Sequence, residues 1–142
     1  MIETLNILLR IAGAGLILLA GSHVLIGQRL KWREESARMS PANASIFHAH
    51  TFFICLGLVM LGLPCLLEPS IFLVHSRAGA WLGWSYSAFW IFRLCYQWLV
   101  FPWRLWRGKR METFAHFGFT IIWISLAMLF AACGIWQAGW LR

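Results

Sequence analysis

Four apolar stretches, at about residues 5–27, 44–67, 77–101 and 113–137, alternate with short polar connections. Each is long enough for a helix to cross a hydrocarbon core of about 30 Å. In the first, Gly13, Ala20 and Gly27 recur with His23 on one face at helical spacing, the composition of a helix that packs closely on another inside a membrane. The pattern therefore predicts an all-α integral membrane protein, a four-transmembrane-helix antiparallel bundle forming a single domain over residues 1–142.

The element ends carry their own signals. Ser40 before Pro41 reads as an N-cap and first helical position, so the second helix starts there and runs to Leu67, with Pro64 placed to kink its far end. Glu68, Pro69 and Ser70 form a turn, and Ile71 to His75 are expected along the outer interface. Pro102 ends the third helix, because it cannot donate the next backbone bond. Leu18 to Ser22 resembles a signal-peptide cleavage site, but the segment before it carries Glu3 and a single basic residue, Arg10, so a retained first helix is expected. Setting His48 on His116 also aligns Ile54 with Ile122, Leu58 with Leu126, Met60 with Met128, Leu61 with Leu129 and Cys65 with Cys133, a weak internal repeat of a helical hairpin.

Composition agrees with a bilayer as the main solvent. The chain is 61% hydrophobic and 12% charged, whereas a soluble surface needs about twice that density of charge. Eight of its twelve Lys and Arg residues fall in two connections, at Arg29, Lys31, Arg33 and Arg38 and at Arg104, Arg107, Lys109 and Arg110. A net charge of +7 arranged in this way meets the anionic head groups of a lipid bilayer, not nucleic acid. The positive-inside rule puts both basic loops in the cytoplasm and the two termini on the outer, periplasmic or extracellular, side, as expected for a bacterial inner membrane. Only Arg77 lies in the connection between the second and third helices, with Arg10 and Arg142 toward the chain ends. Trp81, Trp84, Trp98, Trp103 and Trp106 mark the two membrane surfaces, and Trp136 and Trp140 form a second outer belt.

The four cysteines are single, with no C-x-x-C and no haem-attachment motif, and read as small core residues. Cys65 and Cys133 fall near outer helix ends, where the compartment would permit a disulfide.

Candidate chemistry gathers toward the cytoplasmic half. At about 1.5 Å per residue, His23, His48, His50 and His116 all lie roughly 10 Å from the cytoplasmic ends of their helices. The third helix brings Arg93 and Gln97 to a similar depth, four residues apart on one face, with Tyr86 and Trp90 further along. His48 and His50 point about 200° apart on a helix and cannot both ligate one ion, and the repeat favours His48 as the inward one. His116 shares a moderately polar face with Thr113, Thr120 and Trp123, while His75 belongs to the outer interface. A charged Arg93 in hydrocarbon costs about 2.5 to 3.5 kcal/mol unless it meets an anion, water or the bundle interior. Glu34, Glu35 and Glu112 all sit at the cytoplasmic edge, so either Arg93 snorkels toward Glu112 and the head groups, or its acceptor comes from outside the polypeptide.

Inward imidazoles from separate helices are what a b-type haem or a metal ion requires. The leading expectation is a haem- or metal-binding electron-transport subunit near the cytoplasmic leaflet, with His116 and His48 or His23 as ligands and Arg93 on a propionate. The absence of any Glu-x-x-His pair argues against a di-iron carboxylate site. A second expectation is a small membrane enzyme acting on a lipid, isoprenoid or quinone, with His48, His50 or His116 as acid–base and Arg93 on an anionic head group. A third is a non-catalytic accessory subunit whose Phe- and Trp-rich faces dock other membrane-protein subunits or a second copy in a homo-oligomer.

Overall fold

A computed structural model describes residues 1–139; Trp140 of the expected outer belt and Arg142 lie outside the described residues. All the regular structure among the described residues is helical: α1 (Ile2–Arg29), α2 (Trp32–Ser36), α3 (Pro41–Leu67), α4 (Ser70–Leu73), α5 (Arg77–Leu99), a 3₁₀ turn (Trp103–Leu105) and α6 (Arg110–Gln137). By length and composition, α1, α3 and α6 are able to cross a membrane. The third apolar stretch forms a 23-residue helix, α5, but its Trp, Tyr, Ser, Arg and Gln residues keep its mean hydropathy below that of the other three. The chain divides into two compact units, Ile7–Pro69 and Met1–Asn6 with the chain from Ser70 onward.

In the first unit, α1 and α3 cross at two glycines. A methyl group added at Gly13 would come within 2.6 Å of the Gly62 carbonyl oxygen, and one at Gly62 within 2.8 Å of the Gly13 oxygen, so the backbones themselves are in contact. Arg10 donates from Nη1 to the Leu66 carbonyl at 2.7 Å, using an orphan acceptor near the end of α3. Ser40 caps α3 as its sequence predicts, its Oγ accepting from the Asn43 N–H at 3.3 Å, and Pro41 takes the first helical position. The first basic loop is not irregular throughout. It contains α2, whose Trp32 lies against Gly27 and meets Phe47 edge-on at 5.7 Å.

In the second unit, α5 and α6 form an antiparallel pair joined by residues 100–109. Along α5 the positions Gly79, Gly83, Tyr86, Trp90, Arg93 and Gln97 step by four and three, and along α6 His116, Thr120, Trp123, Ala127, Phe130, Gly134 and Gln137 do the same. That 3.5-residue period keeps one seam of each helix facing the other over its length, as in a coiled coil. The seam is closest where side chains vanish: a methyl at Gly83 would lie 2.8 Å from the Gly134 nitrogen. Ser87 then donates to the Ala127 carbonyl at 2.9 Å, and further on Trp90 stacks on Trp123 at 5.0 Å.

The segment expected along the outer interface instead inserts part of itself into this pair. Phe72 of α4 is fully buried, 5.3 Å from the Tyr86 ring and 5.4 Å from Phe130. Gln137 fastens the connection. Its Oε1 accepts from the Ser76 N–H at 2.7 Å and its Nε2 donates to the Ile71 carbonyl at 3.1 Å, while Trp136 donates to the Leu73 carbonyl at 2.8 Å. Cys55, Cys65, Cys95 and Cys133 are all free thiols.

Candidate functional site

The sequence places four histidines at one depth, but they are divided between the two units. His23, His48 and His50 belong to the first and His116 to the second. His23 is half-buried and engages its own helix, with Nδ1 2.8 Å from the Leu19 carbonyl. Because a carbonyl only accepts, Nδ1 is the donor in this bond, and Nε2 is the ring nitrogen turned away from it. His48 and His50 are both exposed on α3. His75 stacks on Trp136 at 5.0 Å and donates to the Gln137 carbonyl at 3.4 Å, at the opposite end of α6 from His116. Among the described residues no three His, Cys, Asp or Glu side chains come together as a metal-holding group.

The cofactor-facing set of the third helix fares differently. Trp90, Arg93 and Gln97 stand on the α5 seam, and the partners facing them come from α6. Gln97, 3% exposed, donates from Nε2 to the His116 carbonyl and to Thr120 Oγ1, both at 2.9 Å, and its Oε1 accepts from Trp123 Nε1 at 2.8 Å. Thr120 in turn donates to the His116 carbonyl at 2.9 Å. The amide is thus satisfied at both ends, which is what lets a polar side chain sit in an apolar seam. Tyr86 is at the far end of the same seam, 4.8 Å from Phe130, and takes no part in the Arg93 region.

Two layers of aromatic side chains frame this network. In the inner layer Trp123 is sandwiched between Trp90 at 5.0 Å and Phe119 at 5.5 Å, with the Arg93 guanidinium 5.1 Å from its ring. Phe101 lies 5.9 Å from the same guanidinium, so the cation rests among π faces. In the outer layer His116 is stacked on Trp106 at 4.4 Å and met edge-on by Trp98 at 4.9 Å. Trp98 and Trp106 read from sequence as interface markers. The structure folds Trp106 back onto α6, held also by Thr113, whose hydroxyl donates to the Trp106 carbonyl at 2.6 Å. Trp123 and Thr120, absent from the expected cofactor set, supply two of the three groups that hold Gln97; their spacing from His116 was the available signal.

The chemistry left open here is an excess of donors. Arg93 Nη1, Trp90 Nε1, Trp106 Nε1 and His116 Nε2 are buried without a hydrogen-bond partner among the described residues. Three of those four atoms belong to groups that only donate. From Arg77 through Met111 the chain holds no Asp or Glu. No protein-family profile matches the chain, and neither a curated protein nor a solved structure is similar to it.

Proposed function

We propose that this protein is a four-span membrane protein, with both termini outside a bacterial inner membrane, that binds a hydrophobic molecule with a carboxylate or phosphate head at Arg93. The observation that carries the binding reading is the buried Arg93 Nη1, with Trp90 Nε1 one turn before it on the same seam, and no acceptor for either atom among the described residues. A buried donor without an acceptor costs about 1 to 3 kcal/mol, and more when it is charged. An anionic head satisfies both groups and neutralises the guanidinium. Within the Trp90–Trp123–Phe119 stack the two indoles are buried and Phe119 is half-buried, so the attached chain or ring system would lie along Phe119.

The fourth span rests on register. α5 runs for about 35 Å and stays in contact with α6 from Gly79 beside Gln137 to Gln97 beside His116. A helix fastened along its length to one that crosses a bilayer crosses with it. Its polar residues lie on the seam, so they are withdrawn from lipid.

The test is native mass spectrometry of the full chain purified in mild detergent. The wild-type chain is expected to retain an anionic hydrophobic molecule; Arg93→Gln lowers retention roughly ten- to a hundredfold and Arg93→Lys restores part of it. Retention unchanged in Arg93→Gln overturns the reading.

A b-type haem is a second reading, favoured by His23. Its Nδ1–H to carbonyl bond is the arrangement that orients a ligating imidazole and leaves Nε2 for a metal. A Soret band in the purified chain that disappears in His23→Ala supports this version, and a colourless protein removes it.

A further inference from the structure

The connection between α5 and α6 carries a second, outward-facing arrangement that the seam does not use. Trp106 is turned inward onto His116, whereas its neighbours Trp103 and Leu105 are about half exposed, at 49% and 51%. Arg107 covers the Trp103 ring, its guanidinium carbon 4.3 Å from the ring centre. Beside this pair a shallow groove is lined by Gly108, Lys109, Arg110, Thr113, Phe114 and Phe117. Its rim is cationic and its wall is apolar: Phe114 is 81% exposed on α6, with Phe117 one turn further.

The two basic loops differ in how their charges are used. In the first, Lys31 pairs with Glu34 at 3.3 Å and Arg38 with Glu35 at 3.2 Å. In the second, Arg104, Arg107, Lys109 and Arg110 are exposed and engage no carboxylate among the described residues. Equal numbers of basic residues therefore leave unequal fields: the first cluster contains two carboxylates and the second has one beside it, Glu112, so the less compensated field surrounds the groove. A cationic rim opening onto exposed aromatic rings on a membrane-length helix matches a molecule with a negative head and an apolar tail.

We propose that the groove at residues 108–117 is a site for an anionic phospholipid of the surrounding leaflet, its phosphate between Lys109 and Arg110, its acyl chain along Phe114 and Phe117. Arg104 and Arg107 add to the attraction from outside the groove, and Trp103 holds the loop at the depth of the head groups. The site is independent of Arg93.

The full chain in mild detergent is mixed with equimolar phosphatidylglycerol and phosphatidylcholine, and the lipids it retains are read by native mass spectrometry. Phosphatidylglycerol is expected in excess. Each charge near an anionic surface contributes about a fivefold preference, so the combined Arg104→Gln, Arg107→Gln, Lys109→Gln and Arg110→Gln chain loses roughly several hundredfold. The matched chain with Arg29→Gln, Lys31→Gln, Arg33→Gln and Arg38→Gln keeps most of the excess. Raising ionic strength erodes the excess in the wild-type chain itself, a readout that needs no variant, whereas an anion buried at Arg93 is screened far less. Arg93→Gln leaves the phosphatidylglycerol excess in place. Equal retention of the two lipids by the wild-type chain, equal loss in the two quadruple variants, or a dimer that retains no lipid would each overturn the proposal, the last by assigning the groove to a second copy.

Discussion

Replacing Gln97 by leucine keeps most of the side chain's bulk but removes three hydrogen bonds from the α5–α6 seam: those to the His116 carbonyl, to Thr120 Oγ1 and from Trp123 Nε1. Hydrogen bonds between membrane helices average about 0.6 kcal/mol and reach about 1.7. Three of them come to roughly 2 kcal/mol, a change of about thirtyfold in the ratio of folded to unfolded chain. Thr120 still reaches the His116 carbonyl, so the loss concentrates on Trp123 Nε1, a donor left in an apolar seam. Titrating the detergent-solubilised protein with a denaturing detergent, followed by circular dichroism, measures the difference. A cycle with Trp123→Phe isolates the bond between the two residues: the double variant should be about 1 kcal/mol more stable than the sum of the single losses implies. A Gln97→Leu chain that unfolds with the wild type, or a cycle with no coupling, would show that the amide does not hold the seam.

Two further substitutions test the contacts that place the helices. Gly13→Ala should destabilise the chain by about 1 to 3 kcal/mol, because the added methyl meets the Gly62 and Leu66 backbone, whereas Gly15→Ala on the same helix meets nothing within 4 Å and should be neutral or slightly stabilising in the same denaturation assay. Gln137→Leu strips the Ser76 N–H and the Ile71 carbonyl of their partner and should raise hydrogen exchange at residues 71–79 before any change at Gln97 is seen.

The helices were legible because their ends and periods are local properties. Ser40 and Pro41 announce the start of α3 through the geometry of a single cap, and Arg93, Gln97 and Trp90 share a face by spacing alone. What sequence could not supply was the direction in which an amphipathic ring turns. An indole near a helix end suits a head-group region and suits a stack on histidine equally well, so Trp106 read as a surface marker until its ring was found 4.4 Å from His116. The histidines show the converse. Equal depth follows from counting residues, but the direction each imidazole takes depends on rotation about its helix axis, which spacing alone leaves open for His48 and His50. Phe72 was missed because a four-residue helix has too little periodicity to reveal which side chain turns inward.

The seam of α5 and α6 is made of different materials at its two ends. Near Gly83 and Gly134 the main chains touch, while near Trp90 and Trp123 a pair of indoles stands between them. Two rods joined tightly at one end and propped apart at the other form a wedge. Such a hairpin has room for large side chains at its indole end and none at its glycine end, where a single methyl on Gly83 or Gly134 would already meet the facing helix.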